Sequence, residues 1–502
     1  MDFKLSLSIL ASGSEFAKIH FFMNTLQQRY NTSLALLTDL YQLTMAYGYW
    51  KNNRQDEEAV FHWFYRNNPF KGNYAIAAGL EDMVAYLNDF RFCASDIEYL
   101  SSLKGSDNKA LFEEAFLNYL RDMEFSCDID AIPEGTIVFP HEPLLRIKGP
   151  LIQAQILETA ILNILNFQTL IATKAARVVE AAGKDSVLEF GLRRAQGIDG
   201  GLSASRAAYI GGVDATSNVL AGKIYGIPVK GTHAHSWVMS FEEEIEAFEA
   251  YAAAMPNNCV FLVDTYDTIH GVMKAIEVGK KLRAKGYEFL GIRLDSGDLA
   301  KLSIEARKLL DAEGFPNAQI VASDSLDEYK IADLKDRGCK INVWGVGTNL
   351  VTAKDQPALG GVFKLAALRK PGADWVFKMK LSNTPIKVSN PGILNVRRFL
   401  MTTGQPFGDM IWNEENGPPS SNICSFDGRE AVADTRDYID LLQPIFRAGK
   451  QVYSLPKATE IRQHCQAQIQ LFYNVNFNLY PVGLERKLNQ DKLAMLAELR
   501  NQ

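Results

Sequence analysis

Two of the seven histidines in this 502-residue chain stand at i and i+2, in Gly231-Thr232-His233-Ala234-His235-Ser236. If the apolar run before them continues as a strand, both imidazoles face the same way. Three chemistries fit such a pair: a metal-ligand couple, two satisfied structural histidines, or a reactive imidazole acting as nucleophile or general base. A metal-holding barrel would carry further histidines on later strands, and only His270 and His464 follow. The reactive imidazole is therefore the leading reading.

Carboxylates and cations with related potential lie on either side. Gly291-Ile292-Arg293-Leu294-Asp295-Ser296-Gly297-Asp298 puts a cation and two carboxylates after an apolar run. Asp295 could bond vicinal ribose hydroxyls and stabilise a positive sugar carbon, or it could simply pair with Arg293. Glu189-Phe190-Gly191-Leu192-Arg193-Arg194 sets adjacent arginines beside a glycine turn, suited to phosphate or to a solvated surface. Gly345-Val346-Gly347-Thr348 offers glycine backbone and a hydroxyl after another apolar run. It reads as an anion nest or as a tight strand–helix turn. No G-x-x-x-x-G-K-[ST] segment is present, and the glycine segment lacks the third glycine of a dinucleotide fingerprint. Jointly these segments describe a rim with phosphate sites, a histidine and a carboxylate, which is phosphoribosyl chemistry.

The elements that must position them are the most regular part of the chain. Apolar runs at Ser186–Phe190, Ile227–Thr232, Val260–Asp264, Phe289–Leu294, Ile320–Ser323 and Ile341–Gly345 do not alternate with polar residues. That pattern predicts parallel strands buried on both faces. Helices are predicted at Phe241–Met255, Thr268–Lys285, Leu299–Glu313 and Glu328–Arg337, the last three followed by Gly286, Gly314 and Gly338. Asp264-Thr265-Tyr266-Asp267, Asp295-Ser296-Gly297-Asp298 and Asp324-Ser325-Leu326-Asp327 each close a run and open a helix. The second Asp of each suits an N-cap, and the first sits at the carboxyl end of its strand, where barrels place reactive groups.

Length suggests roughly three domain-sized units. Hydrophobic residues at 47% and charged residues at 22% exclude disordered and collagen-like classes. A net charge of −6 argues against a general nucleic-acid binder. The six cysteines show no CxxC spacing, which favours reduced thiols and a cytoplasmic setting. No apolar run is long enough to span a membrane. The expected organisation is an extension over 1–33, a catalytic α/β barrel over 151–365, and an α+β sandwich assembled from 34–150 and 366–502.

Taken in order, Thr38-Asp39-Leu40-Tyr41-Gln42-Leu43-Thr44-Met45, Phe190-Gly191-Leu192-Arg193, the 231–236 segment, the 291–298 segment and Gly345-Val346-Gly347-Thr348 resemble nicotinate phosphoribosyltransferase. The likeness runs from about residue 34 to the C-terminus. It implies an irregular parallel α/β barrel of the type II phosphoribosyltransferase kind with the sandwich domain described above. The implied reaction joins nicotinate to 5-phosphoribosyl-1-pyrophosphate, giving nicotinate mononucleotide and pyrophosphate, with ATP as co-substrate and magnesium. His235 matches the histidine that becomes phosphohistidine. Tyr41 and Thr232 match nicotinate contacts, with Tyr41 completing the site of a neighbour in a homodimer. Arg293 matches the arginine at the pyridine, and Thr348 a contact to the phosphoribosyl substrate. In related nicotinamide enzymes the Phe190 and Arg293 positions sandwich the pyridine, and the Arg193 and Asp295 positions hold phosphoribosyl pyrophosphate. Gly345 and Gly347 would supply backbone N–H groups to phosphate. Metal ligands are not assigned. Within Gly212–Asn218, Asp214 facing the pyridine would favour an amide, whereas Thr216 or Ser217 would tolerate the acid. A nicotinamide-specific enzyme and a non-catalytic phosphosugar-binding barrel are the alternatives.

Overall fold

The computed structural model describes residues 32–384, 387–433 and 437–500. Most of the expected N-terminal extension, residues 1–31, lies outside the described residues.

The central apolar runs form a six-stranded, all-parallel sheet. Its order is Ala215–Thr216, Ser186–Glu189, Val343–Val346, Gln319–Ala322, Gly291–Leu294, Val260–Leu262. Helices Thr268–Ala284, Leu299–Ala312 and Glu328–Asp336 connect its later strands. Each starts as the repeated acidic pairs predict. Asp267, Asp298 and Asp327 accept from the backbone N–H groups of His270, Lys301 and Lys330. Each ends with a glycine in the left-handed region, at φ 82°, 77° and 74° for Gly286, Gly314 and Gly338. These caps fix where each strand hands over to its helix, and so where the rim lies.

Ile227–Thr232 departs from the expected strand. It makes one isolated parallel bridge, Val229 to Thr216. Pro228 has no N–H to donate, so the ladder cannot propagate through it; its carbonyl accepts from Thr216 N. Ala215–Thr216 is the sixth strand instead. The helix expected from Phe241 begins at Glu244, where Glu243 and Glu246 form a reciprocal capping box. His235–Met239 forms a separate short helix before it.

Around the barrel, a seven-stranded antiparallel sheet mixes both ends of the chain. Glu58–Phe64 lies between Leu145–Pro150 and Val362–Arg369, and Asp128–Ala131 pairs with Gln443–Arg447. A third, six-stranded sheet is built entirely from residues 394–485. The 25-residue helix Glu158–Ala182 runs between the sandwich and the barrel. Buried ion pairs join the layers: Arg206 with Glu134 at 2.7 Å and Lys174 with Glu328 at 2.7 Å. Arg206 also pairs with Glu81 and Glu328 with Arg177, so it is truncation of Arg206 or of Glu328 that would leave a buried partner, Glu134 or Lys174, uncompensated, typically a loss of about 3–5 kcal/mol.

Candidate active site

At the carboxyl ends of the parallel strands the rim residues converge on His235. The imidazole opens the His235–Met239 helix and is partly exposed. Its Nδ1 lies 3.0 Å from Thr265 Oγ1. Its Nε2 lies 3.7 Å from Asp295 Oδ2 and 3.9 Å from Asp264 Oδ1. Asp264 is held rigidly, because its Oδ2 accepts from Asp295 N at 2.8 Å and Ser296 Oγ at 2.7 Å. Its Oδ1 is buried and has no hydrogen-bond partner among the described residues. A buried carboxylate oxygen left open in this way is costly unless something else meets it.

Arg293 leaves the neighbouring strand and is fixed on several sides. Nε donates to Ser323 Oγ at 2.7 Å, Nη1 to Thr232 Oγ1 at 3.0 Å, and Nη2 to Asp295 Oδ1 at 3.1 Å. Ser323 also donates to the same Asp295 oxygen. The guanidinium is thus oriented with its carbon 5.7 Å from the centroid of the Phe190 ring. A flat aromatic ligand between them needs about 3.5 Å on each face, so the two must part by about 1 Å to admit one.

Gly345 makes room for that aromatic. A Cβ there would come within 2.7 Å of Phe190 Cδ2, and one on Gly347 within 3.1 Å of Phe190 O. Gly347 precedes the short helix Thr348–Val351. Thr348 Oγ1 accepts from Arg194 Nη1 at 3.2 Å. The arginine brought to Thr348 is therefore Arg194; Arg193 is exposed on the same Leu192–Arg194 turn. The turn is anchored by buried Glu189, which accepts from Gly191 N, from Ser205 Oγ at 2.8 Å and from Thr216 Oγ1 at 2.5 Å.

The two histidines of the 231–236 segment do not face the same way, because that segment is not a strand. His233 turns into the protein against Phe248, Tyr251 and Phe261, and burial pushes its imidazole down to about 4. Asp214 does not reach the rim. It bonds Ser186 Oγ, Val187 N and Arg462 at the opposite, amino end of the strands. Tyr41 is half exposed on helix Leu40–Lys51. It lines a separate cavity of about 350 Å³ with Glu158, Thr159 and Phe167, and none of the residues around His235 lines that cavity.

Thr265, Ser323 and Glu189 are site residues that the sequence does not single out; it marks Asp264 only as a strand-end carboxylate and Arg194 only as one of two adjacent arginines suited to phosphate. The repeated acidic pairs carried the signal for Asp264 and its neighbour Thr265. Ser323 and Glu189 carry no local mark, and only folding joins them to Asp295 and Thr216 and brings Arg194 to Thr348.

Residues 36–166 match the nicotinate phosphoribosyltransferase (NAPRTase) N-terminal domain, 186–373 the NAPRTase family, and 394–492 the C-terminal domain. The Bacillus subtilis nicotinate phosphoribosyltransferase is 42% identical, over 93% of this chain and 96% of that one. The Homo sapiens protein of that name is 38% identical, over 77% and 80%. The crystal structure of human nicotinic acid phosphoribosyltransferase superposes with a TM-score of 0.79 at 33% identity, covering 91% of this chain and 99% of that one. A Pyrococcus furiosus nicotinate-nucleotide pyrophosphorylase shares the fold, with a TM-score of 0.67 at 23% identity. By its three matched domains, its layered architecture and these relatives, the chain belongs to the nicotinate phosphoribosyltransferase family.

Proposed function

We propose that the protein transfers the 5-phosphoribosyl group from phosphoribosyl pyrophosphate to nicotinate, coupled to ATP hydrolysis. The observation that carries this is the His235 cluster: an imidazole poised between Thr265 and two carboxylates, beside the Phe190–Arg293 slot. With Nδ1–H donating to Thr265, Nε2 presents a lone pair to the γ-phosphoryl of ATP; the N–P bond forms as the bond to the β-phosphate oxygen breaks and ADP leaves, and water later releases phosphate from the ring. Phosphorylated His235 adds charge at the rim, which can order the substrate pocket before pyrophosphate departs.

Nicotinate stacks between Phe190 and Arg293 in this reading. Arg293 N–H groups not used by Ser323, Thr232 and Asp295 meet the ligand carboxylate. Arg193, Arg194, Thr348 and the Gly345–Gly347 backbone hold phosphate. As pyrophosphate leaves, the ribose carbon gains positive charge, and Asp295 stabilises it electrostatically. The anchoring of Asp214 at the far end of the strands supports the acid over the amide, since it leaves no Asp214 carboxylate to repel nicotinate.

Among the described residues no group of three His, Cys, Asp or Glu is set to hold a metal alone. Magnesium carried by substrate phosphates needs only one or two protein carboxylates. The open Asp264 Oδ1 and nearby Asp295 Oδ2 fit that requirement. The ion would offset charge on the pyrophosphate. Tyr41 completes the site of a second copy in a homodimer, a role supported by its exposure away from its own His235. Free thiols at all six cysteines suit a cytoplasmic enzyme.

The test is a substrate panel with and without ATP. Nicotinate-dependent ATP hydrolysis, pyrophosphate release and a phosphate label on His235 are expected. A preference for nicotinamide would overturn the substrate, and binding of phosphoribosyl pyrophosphate without turnover would overturn the activity.

A further inference from the structure

The parallel sheet does not close on itself through backbone bonds. Its two edges are Ala215–Thr216 and Val260–Leu262. The segment from Ile227 to His235 fills the seam between them. On one side it is held by backbone: Thr216 N donates to Pro228 O, and Lys230 N to Thr216 O, each at 3.0 Å. On the other side the attachment is a side chain. His233 Nε2 accepts from Leu262 N at 3.3 Å. Val263 N donates inward to Arg293 O, so the Leu262 N–H points outward from the sheet edge, where a next strand would accept it. The imidazole stands where that strand's carbonyl would be.

The surroundings fit this duty. His233 is 7% exposed, with the Tyr251 ring 4.9 Å away and Phe248 and Phe261 on other sides. A neutral ring is required, because only an unprotonated Nε2 can accept, and burial in this apolar cage favours the neutral form. The neighbours on either side of it face the reactive rim. Thr232 Oγ1 accepts from Arg293 and donates to the His233 carbonyl, and His235 meets Thr265.

We propose that His233 is a positioning residue: its Nε2 bond to Leu262 N pins the 232–235 turn to the sheet edge and thereby sets His235 at its phosphoryl-transfer geometry. This rests on the reading of His235 as phosphoryl acceptor, and the experiment separates the two.

Three variants discriminate. His233→Phe keeps the aromatic packing but leaves Leu262 N–H without an acceptor. His233→Gln puts Oε1 near the position of Nε2 and restores one. His233→Asn places its oxygen nearer the position of Nδ1 and does not. In full-length protein, ATP-coupled turnover at saturating ATP is expected to fall about 10-fold or more in the Phe and Asn variants. KM for phosphoribosyl pyrophosphate, and transfer without ATP at saturating nicotinate, are expected to stay within about threefold. The Gln variant is expected to recover to within about threefold of wild type. Hydrogen exchange at the peptide containing Leu262 should quicken in Phe and Asn and return towards the wild-type rate in Gln.

Full ATP coupling in His233→Phe would overturn the proposal. So would an equal loss with and without ATP, or a Gln variant no better than Phe. Fast exchange at Leu262 in the wild type would overturn it whatever His235 does. Failure of wild type to label at His235 would instead sink the phosphoryl-acceptor reading, together with this refinement of it.

Discussion

Asp264 Oδ1 lies 3.9 Å from His235 Nε2, buried and with no hydrogen-bond partner among the described residues. The other oxygen of the same carboxylate is fully engaged by Asp295 N and Ser296 Oγ. The carboxylate is therefore fixed in place with one acceptor kept open toward the imidazole. Asp264→Asn preserves shape and the anchoring acceptor while removing the charge. ATP-coupled kcat is expected to drop about 100-fold, in the range typical of a lost acid–base or electrostatic partner. Rapid-quench measurement of His235 labelling would check it; an unchanged labelling rate would count against a role for Asp264.

Arg293 is used as a fork, with separate N–H groups assigned to Ser323, Thr232 and Asp295. Arg293→Lys keeps the charge but cannot reproduce that geometry. The loss in kcat/KM for nicotinate is expected to be about 10- to 100-fold, corresponding to about 1.5–3 kcal/mol for a charge-assisted bond. Steady-state kinetics with nicotinate varied would show it, and a near-wild-type value would argue that charge alone suffices.

Gly345 is a steric requirement. An alanine methyl would sit 2.7 Å from the Phe190 ring and must displace it. Gly345→Ala is expected to cost about 1–3 kcal/mol of stability through overpacking and to raise KM for nicotinate. Pairing it with Phe190→Leu, which removes the obstructing ring edge, should recover the stability but not the KM. Chemical denaturation and kinetics on the same two proteins would separate these effects.

Arg194 and Arg193 can be told apart in the same way. Both are exposed on the turn, and Arg194 donates to Thr348. Arg194→Ala is expected to loosen the phosphate loop and raise KM for phosphoribosyl pyrophosphate about 10-fold, as for loss of a positioning contact. If Arg193 binds phosphate directly, Arg193→Ala will lower kcat/KM for that substrate by at least as much. A silent Arg193 variant would remove it from the site.

His62 sits deep between the N-terminal sheet and the C-terminal one, its Nε2 accepting from Leu394 N at 3.2 Å. Burial, with Arg146 nearby, pushes the ring down to about 3. In the unfolded chain it titrates near 6.5, so between about pH 6.5 and 3 the unfolded state binds a proton that the folded state refuses. Stability must therefore fall as pH drops through that window, by up to about 1.4 kcal/mol per pH unit for this group. His62→Gln, which retains an acceptor, should flatten the slope by about one proton in urea titrations at different pH. An unaltered slope would mean that His62 does not govern the acid sensitivity.

The sequence determined the parallel α/β core, because unbroken apolar runs and capped helices are local patterns that tertiary contacts had no reason to override. Asp267, Asp298 and Asp327 cap their helices, and Gly286, Gly314 and Gly338 end them, as their spacing requires. The same local marks put Arg293 and Asp295 at the carboxyl end of one strand, where His235, at the start of its short helix, meets them. What only the tertiary structure decided was orientation and long-range pairing. The ladder stops after the single Val229 bridge, and beyond it His233 turns inward to Leu262 N while His235 turns to the rim. Asp214 is drawn to Ser186 and Arg462, from a distant helix, and Glu189 to Ser205 and Thr216. Those choices depend on which polar groups remain unsatisfied once the layers pack, and one stretch of chain carries no record of a partner far away in sequence.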